Sequence, residues 1–472
     1  MLQRIALSLV VASAAVAACS DFRNAPVDRV DGGDDAGLSD GPSSDAGGPE
    51  VVLAADAGDA GPKGDSPPDF ACAEAWTKPN RADPNCVNRS VVVIERGILD
   101  TTALSVVVTS TLRVGVAYNS KLSADQGELH VATFARPSSL SDAGLSPAPA
   151  IAVLAGSQFD NFGFVARAAA GTGARIHVAY QTSNSEIVYA TIDPTGPPST
   201  AETIATGIAQ SSEIALAVLP NGDVRAVYYD PSQTTLYSKL RSSVGWGAPT
   251  IVHPGISDAG VVGTGQVSEV IDQVGSPHVA FHNPRMSGGS DPRYVQFAGT
   301  GWTTTKTLDN ADLMGISGFS IALGIVDQTR YAAYYFRPTG AVVAQLRLAS
   351  WISSTDTPTV TIVDPVLDQS IPSPNASAPL YRVAMATDRY GMIHLAIVTP
   401  QTGGTGYLEY RRQKRVAGKI SWVSDTVDDN VLATGSSPTL VDIAVDSDAR
   451  PHLAYYRGAD GAVMYATRFD RP

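Results

Sequence analysis

The strongest constraint on this chain is a short strand-like phrase that occurs seven times between residues 115 and 456. Each copy sets a small residue before an aromatic or branched one, as in HVAY ending at Tyr180 and HLAYY ending at Tyr456. We call the small residues the anchor residues: Ala117, Ala179, Val227, Ala280, Ala333, Ala396 and Ala454. Their spacings of 62, 48, 53, 53, 63 and 58 residues indicate an array of like units rather than separate domains.

The third unit gives the plan of one repeat. Its β-branched and aromatic residues, bounded by Gly, Pro, Asp and Asn, predict strands over 213–219, 224–229, 235–240 and 248–253. Seven units of four strands predict an all-β fold, a seven-bladed β-propeller. Four tryptophans are expected between the third and fourth strands of their units: Trp246, Trp302, Trp351 and Trp422.

The two ends of the array complement each other. The seventh unit stops after its third strand at 462–468, whereas the first unit has a surplus strand at 90–96 before its own first strand at 104–109. We expect 90–96 to pair with 462–468 and complete the last blade. The ring would then close without leaving an exposed sheet edge.

Packing explains the anchor residue. Strand side chains alternate between two faces, and in a propeller both faces of a blade are covered by neighbours. A small residue next to a Tyr or Phe therefore lets adjacent blades interlock. Four histidines lie two residues before an anchor residue, one in each of four units: His177, His278, His394 and His452. Equivalent positions in a ring do not converge on one ion, so a structural role is favoured over the alternative of metal ligation.

The N-terminus has the features of an export signal. Arg4 precedes an apolar run over 5–16 that is too short for a stable membrane span, so residues 1–18 are predicted to be a signal peptide. The tetrapeptide VAAC ending at Cys19 resembles the lipobox of bacterial lipoproteins, which implies that Cys19 is acylated and begins the mature chain. By resemblance to Gram-negative sorting rules, Ser20 implies the outer membrane. The alternative is an ordinary secretory signal cleaved before Cys19.

Residues 19–70 are predicted to be a disordered tether. Residues 20–70 carry 12 acidic and 3 basic side chains among Gly, Ala, Ser and Pro, with too little apolar surface to offset the entropy of ordering. A flexible chain of about 50 residues spans roughly 40 Å. An entry segment follows at 71–89, in which Cys72 and Cys86 are expected to form a disulfide because the compartment is oxidising. A reactive thiol pair is the alternative.

The repeats have the form HxAYY…YAT…GW, with YAT ending at Thr191 and MYAT at Thr467. They broadly resemble those of bacterial exported proteins that look like propellers of the sialidase-like kind. The resemblance covers about residues 90–472 and implies blades rather than a chemistry. Sialidase-type enzymes carry an Asp-box, S-x-D-x-G-x-x-W, and this chain has no copy of it. That departure weakens the implied enzymatic activity.

The expected working surface is the face that carries the links between blades and the loops between second and third strands. Segments at those places are long and irregular here, at 254–266, 283–293 and 364–379. Extra length at these places more often reflects a binding surface than packing, and solvated loop drift is the alternative. The densest polar group in them supplies the ligand-binding candidates: His282, Arg285, Asp291 and Arg293.

The net charge and the motifs of this chain limit the classes of partner that it is expected to bind. The net charge is −13, of which about −5 belongs to residues from 71 onward, and no Lys/Arg stripe is present, which argues against nucleic acid. No motif indicates a cofactor or a metal. We expect a monomeric, lipid-anchored binding module for protein or glycan in the cell envelope rather than an enzyme. A carbohydrate-active enzyme, such as a glycosidase or lyase, and a structural partner in an envelope assembly stay open as alternatives.

Overall fold

The computed structural model describes residues 89–468 with gaps at 100, 102, 122–126, 138–147, 158–164, 194–195, 209–212, 257–266, 285–288, 310–315, 339–343, 368–382, 401–405, 417–418, 430 and 432–439. Cys19, Cys72 and Cys86 lie outside these residues, as do the predicted signal peptide and tether, so their roles stay predictions. The described residues form 29 strands and no helix. Nothing within these ranges is therefore a helix able to cross a membrane.

The first strand, β1 (Arg89–Arg96), stands apart from the unit that follows it. The first three blades come next along the chain. Blade 1 contains β2 (Leu104–Val108), β3 (Arg113–Lys121), β4 (Gly127–Ala135) and β5 (Ala150–Ser157). Blade 2 contains β6 (Ala166–Ala170), β7 (Ile176–Gln181), β8 (Ile187–Ile192) and β9 (Glu202–Ala205). Blade 3 contains β10 (Ile214–Val218), β11 (Val224–Asp230), β12 (Thr235–Ser242), the short β13 (Gly245–Trp246) and β14 (Thr250–His253).

The remaining four blades follow the same antiparallel order. Blade 4 contains β15 (Val267–Ile271), β16 (Pro277–Pro284), β17 (Ser290–Gln296) and β18 (Lys306–Thr307). Blade 5 contains β19 (Ile316–Val326), β20 (Thr329–Arg337), β21 (Ala344–Trp351) and β22 (Thr359–Leu367). Blade 6 contains β23 (Val383–Thr387), β24 (Ile393–Pro400), β25 (Gly406–Val416) and β26 (Lys419–Asp428). Blade 7 contains β27 (Val441–Val445), β28 (Pro451–Arg457) and β29 (Ala462–Arg468).

The predicted ring closure is confirmed. β1 pairs antiparallel with β29, from Arg89 opposite Arg468 to Arg96 opposite Ala462, and becomes the fourth strand of blade 7. The first strands of the seven blades contact one another in sequence, and β27 contacts β2 to complete the circle. The chain is therefore an all-β, seven-bladed propeller whose first strands line the axis.

Each blade interface has its own apolar core, and the anchor residue is central to it. All seven anchor residues are fully buried, at 0% exposure. Ala117 packs toward blade 2, whereas the next residue, Tyr118, packs toward blade 7. The same division holds around the ring: Ala454 faces blade 1 and Tyr455 faces blade 6. The small-then-large phrase is thus an interlocking device between blades, as the alternation of strand side chains predicts.

The expected place of the tryptophans is only partly right. Trp246 and Trp302 lie between the third and fourth strands, but Trp351 ends the third strand of blade 5. Trp422 lies within the fourth strand of blade 6, because the ladder between β25 and β26 continues past it to Val416 opposite Lys419. The tryptophan is therefore paired with Gln413 rather than placed between two strands.

Antiparallel blades give the ring two distinct faces. The link face carries the hairpins between second and third strands together with the links between blades. The turn face carries the hairpins between first and second strands and between third and fourth strands. Because β1 occupies the fourth-strand position, Arg89 lies at the turn face and Arg96 at the link face.

The closure predicts a difference between two truncations. A chain that begins at residue 89 should keep its stability, whereas a chain that begins at residue 98 loses the β1–β29 ladder and exposes the edge of β29. We expect the shorter chain to melt at a clearly lower temperature and to aggregate, as measured by thermal unfolding and light scattering. Equal melting temperatures for the two truncations would contradict the closure.

Candidate functional site

A buried relay of three side chains recurs near the turn face. In blade 6, Asp388 accepts hydrogen bonds from the backbone N–H groups of Tyr390 and Met392 at 2.9 and 2.8 Å, and so holds the first hairpin turn. Its other oxygen lies 3.0 Å from Nε2 of His394, whose Nδ1 lies 2.7 Å from the hydroxyl of Tyr410 on the third strand. The relay therefore ties a turn to two strands of its own blade.

Blades 4 and 7 repeat this relay. His278 lies between Asp272 and Tyr294 at 3.0 and 2.5 Å, and His452 lies between Asp446 and Tyr465 at 3.1 and 2.6 Å. Burial lowers the pKa of each of the three histidines below the ordinary value of 6.5, although the aspartate opposes this shift. The neutral ring then donates from Nε2 to the carboxylate and accepts the tyrosine O–H at Nδ1.

Blade 2 shows what the relay looks like without its acid. Gly171 stands where the other blades have aspartate, and a Cβ there would come within 2.3 Å of Nε2 of His177. His177 keeps its contact with the hydroxyl of Tyr189 at 2.5 Å, and burial lowers its pKa to about 4. Each histidine is thus engaged within its own blade. No group of three His, Cys, Asp or Glu side chains suited to a metal ion occurs in the described ranges.

The predicted ligand-binding group lies in strands rather than in a loop. The ladder between β16 and β17 extends to Pro284 opposite Ser290, which places His282 in β16 and Asp291 and Arg293 in β17. The polar, Gly- and Pro-containing stretch suggested a longer loop, but its two prolines still fit the ladder. Arg285 lies outside the described residues.

Blade 4 separates the members of this group. Ala280 packs toward blade 5 and Phe281 toward blade 3, so strand alternation puts His282 on the blade 5 side. Arg293 lies opposite Phe281 across the ladder, on the blade 3 side, where it pairs with Asp291 at 3.0 Å. His282 and Asp291 are each 2% exposed. A ligand-binding role for these residues stays a prediction.

A second recurring arrangement, near the link face, was not anticipated from the sequence. The tyrosine that follows an anchor residue bonds to an acid brought by the preceding blade. Tyr334 donates to Asp309 at 3.0 Å, and Tyr455 donates to Asp428 at 2.7 Å. A cation completes each cluster, because Arg347 lies 2.7 Å from Asp309 and Arg457 lies 3.3 Å from Asp428.

The third copy lies where the ring closes, between blades 7 and 1. Tyr118 donates to Glu95 of β1. Nδ1 of His130 lies 2.8 Å from the same carboxylate, and its Nε2 lies 2.7 Å from Glu128. Ser120, opposite Glu128 in the β3–β4 ladder, lies on the same side of the blade. We call these five residues the seam cluster: Glu95, Tyr118, Ser120, Glu128 and His130.

A β-bulge aims Glu95 into this cluster. The register of β1 against β29 shifts between Val93 and Glu95, which leaves Ile94 as an extra residue. Val93 packs toward blade 6, and Ile94 packs toward blade 1. Strict alternation would turn Glu95 back toward blade 6, but the extra residue directs it to blade 1 beside Ile94.

The contacts of the seam cluster determine its protonation. Burial alone would lower the pKa of His130, but the hydrogen bonds and charges of Glu95 and Glu128 outweigh it and raise that pKa above 6.5. Burial alone would raise the pKa of Glu95, yet the hydrogen bonds from His130 and Tyr118 lower it. Burial and then Glu95 raise the pKa of Tyr118 far above its usual range. The cluster is an imidazolium held between two carboxylates at mildly acidic pH.

The seam cluster reaches solvent, since the side chains of Glu95 and Glu128 are 22% and 36% exposed. A second charged group lies on the other side of blade 7. Arg96 pairs with Asp460 at 2.9 Å and is 60% exposed, and Asp460 also pairs with Arg457 at 2.7 Å. Because Arg96 and Arg457 lie opposite Ala462 in the ladders, this second group faces blade 6.

A signal for these clusters does exist in the sequence. The acid precedes the tyrosine by 23, 25 and 27 residues in the three copies. Because the links between blades differ in length, the spacing differs between copies and is not recognised as a repeat in a single sequence. The bulge at Ile94 cannot be recognised without the ladder.

The strand ladders and the contacts between blades define the class of this fold. The chain is a seven-bladed β-propeller; no protein-family model matches it, and no curated protein sequence matches it. The BP39L lectin from Burkholderia pseudomallei is similar over 79% of this chain and 99% of its own, with 11% identity and a TM-score of 0.49.

Two further solved structures are comparably distant. A variant of the NanB sialidase from Streptococcus pneumoniae is similar over 80% of this chain and 70% of its own, with 10% identity and a TM-score of 0.40. The β-propeller domain of the Trilobed protease from Pyrococcus furiosus is similar over 79% and 94%, with 9% identity and a TM-score of 0.42. Likenesses as distant as these carry no argument about a ligand.

The relay predicts unequal effects at two histidines. His394→Phe removes the partner of one oxygen of the buried Asp388 carboxylate and the contact of His394 with the hydroxyl of Tyr410, so we expect a loss of about 2–4 kcal/mol in the free energy of unfolding. His177→Phe is the matched control, because it removes only the contact with the hydroxyl of Tyr189. It should lower the free energy of unfolding by about 1–2 kcal/mol. Denaturant unfolding measures both. Equal losses would contradict a structural role for the aspartate.

The seam cluster predicts a pH-dependent effect of His130→Gln. A raised folded-state pKa means that the charged histidine stabilises the fold fully below its unfolded value and loses this effect as the pH rises through the folded value. We therefore expect a loss of about 1–3 kcal/mol near pH 5–6 that narrows toward alkaline pH. Melting temperatures of both proteins between pH 5 and 9 measure the difference.

His253→Gln serves as the control for this pH profile. Burial lowers the folded-state pKa of His253. A rise in pH therefore does not remove any stabilisation that this residue contributes. A His130→Gln deficit that grew with rising pH would show that the imidazolium does not stabilise the seam.

Proposed function

We propose that this protein is a lipid-anchored cell-envelope propeller that binds a glycan or a protein through its link face. The observation that carries the proposal is the partly exposed seam cluster where blades 7 and 1 meet. Its five residues lie on β1, β3 and β4, so their geometry is fixed before a ligand arrives. A preorganised polar surface lowers the entropy cost of binding.

The position of β1 supports the choice of face. The chain enters the ring at Arg89, on the turn face, and β1 ends at Arg96 on the link face. A tether that joins Cys19 to this entry point would attach on the side opposite the link face.

A carbohydrate-active enzyme is the second candidate, and one contact favours it. Tyr118 donates to Glu95, and a tyrosine beside a carboxylate is the nucleophile arrangement of sialidase-type enzymes. Tyr118, however, is 0% exposed and strongly holds its proton. Attack on a substrate would require the seam to open, so binding without turnover is the better-supported function.

Binding and turnover assays on the full-length protein test this function. We expect retention of the protein on a glycan array or by an envelope-protein panel, with no release of chromophore from aryl glycosides. Hydrolysis of any glycoside would favour the second candidate. Absence of binding to both panels would overturn the proposed function.

The anchor predicts the fate of a Cys19→Ala variant. Without the cysteine, no acyl chains can be attached, and several chains on one residue are what holds such a protein stably on a membrane. We expect the variant to move from the membrane fraction to the soluble fraction while keeping its melting temperature. Mass spectrometry of the wild-type protein should find lipid on Cys19, and a mature chain that begins elsewhere would contradict the anchor.

A further inference from the structure

The two most exposed large apolar side chains of the described residues lie at hairpin tips of the turn face. Val244 is 94% exposed and lies between the third and fourth strands of blade 3. Val274 is 86% exposed and lies between the first and second strands of blade 4. Ile352, which is 54% exposed, follows the third strand of blade 5. Three successive blades therefore each present a large apolar side chain on the same face of the ring.

The buried relay fixes the position of one of these tips. Oδ1 of Asp272 accepts a hydrogen bond from the backbone N–H of Val274 at 3.1 Å, and its Oδ2 lies 3.0 Å from Nε2 of His278. The acid of this hairpin is thus turned toward its own blade, where its side chain is 15% exposed. The apolar side chain of Val274 projects into solvent instead, from a backbone that the relay holds in place.

The equivalent tip residue in blade 6 is Tyr390, whose backbone N–H donates to Asp388 at 2.9 Å. The guanidinium of Arg389 lies 4.7 Å from the centroid of the Tyr390 ring and donates to its hydroxyl. An amphipathic ring beside a long basic side chain suits the boundary between lipid headgroups and acyl chains. In blade 7 the equivalent tip residue is Asp448, which Asp446 holds in the same way at 2.8 Å. The hairpin therefore accommodates apolar, aromatic and charged tip residues alike.

The arrangement of these tips distinguishes a lipid surface from a protein partner. A stable protein interface buries about 800 Å² of continuous, well-packed surface on each partner. Single side chains at the tips of hairpins from different blades do not form a continuous patch of that kind. A lipid bilayer accepts separate apolar side chains, because each can enter the boundary between headgroups and acyl chains by itself.

The point at which the chain enters the ring also favours a lipid surface. β1 begins at Arg89 on the turn face, and the preceding chain leads back to Cys19. A tether from an acylated Cys19 would keep weak contacts at an effective concentration on the order of millimolar. We propose that the turn face of blades 3–6 rests directly on the lipid membrane, with its apolar hairpin tips inserted among the headgroups. This inference rests on the lipid anchor of the proposed function.

The depth of insertion tests the contact without natural acylation. The protein used is the chain from residue 19 with Cys19→Ala and an N-terminal histidine tag. It is held on vesicles of phosphatidylethanolamine and phosphatidylglycerol that contain a nickel-chelating lipid and brominated acyl chains. A fluorophore is attached at Ile352→Cys on the turn face or, as the matched control, at Leu99→Cys near the link face, where Leu99 is 66% exposed. The same chain without an added cysteine gives the background.

We expect quenching at Ile352→Cys that is at least about threefold stronger than at Leu99→Cys, because an inserted side chain lies about 5–10 Å into the boundary that the bromines approach. Equal quenching at the two positions would overturn the contact.

Tip variants then test which side chains insert. Val274→Asp gives blade 4 the tip residue that blade 7 already has, so the hairpin should form and the melting temperature should stay unchanged. Combined with Tyr390→Asp, it should reduce quenching at Ile352→Cys by about half or more, because a carboxylate resists insertion. Leu99→Asp is the control and should leave this quenching as it is in the unaltered chain. Full quenching in the Asp variants would overturn the role of the tips.

Two further outcomes separate the contact from other interpretations. A dimer in solution that Val274→Asp dissociates, as measured by sedimentation velocity without vesicles, would assign the tips to a second copy of the chain and overturn the lipid contact. Failure of the contact leaves the binding function of the link face intact. Absence of lipid on Cys19 in the wild-type protein would overturn the anchor but not the result at the tips.

Discussion

Every blade interface depends on one small side chain in the middle of a second strand. A side chain as large as leucine there would separate the blades, since packed interiors resist added volume. The neighbouring position can then carry a tyrosine, phenylalanine or isoleucine that fills the opposite interface, as Tyr118 and Tyr455 do. The circular arrangement follows, because each blade offers a flat face to the next and a projecting face to the previous one.

Polar contacts border these apolar interfaces on both sides. Near the turn face, the Asp–His–Tyr relays are closed, and His278 and His452 are 0% exposed. Near the link face, acid–tyrosine–cation clusters join successive blades, and the one at the seam opens to solvent through Glu128. The same chemistry therefore stabilises both sides of the ring. The link face differs in that its seam cluster is partly open to solvent, and the proposed binding site lies there for that reason.

The architecture could be predicted from the sequence because the same strand pattern occurs in seven units. A strand that is ambiguous in one unit can be recognised from its equivalents in the others. Counting strands sufficed to pair 90–96 with 462–468, and the observed β29 has the predicted bounds. The histidine positions also followed from the repeat, although their aspartate and tyrosine partners were not foreseen. The place of Trp422 was wrong because the third and fourth strands of blade 6 are longer than those of blade 3, so their ladder includes the tryptophan.

The site could not be predicted in the same way, since it arises from departures from the repeat. Glu95 enters the seam cluster only through the bulge at Ile94, and a bulge leaves no mark in an apolar run such as 91–94. The predicted residues His282 and Asp291 lie on opposite sides of blade 4, because strand alternation sends neighbours to opposite faces, and their ligand-binding role stays a prediction. A polar cluster in one segment of sequence says nothing about which blade each side chain faces.

The seam also sets the order in which this protein can reach its native state. Arg96 and Asp460, which form an ion pair across it, are 364 residues apart in the chain. β1 gains its ladder partner only after β29 has been synthesised, although its apolar residues Val92 and Ile94 also pack on the earlier blade 1. The ring therefore stays open during translation until β29 has been made. Once the seam forms, both ends of the ring are held by the same ladder, and neither can fray without breaking contacts made by the other.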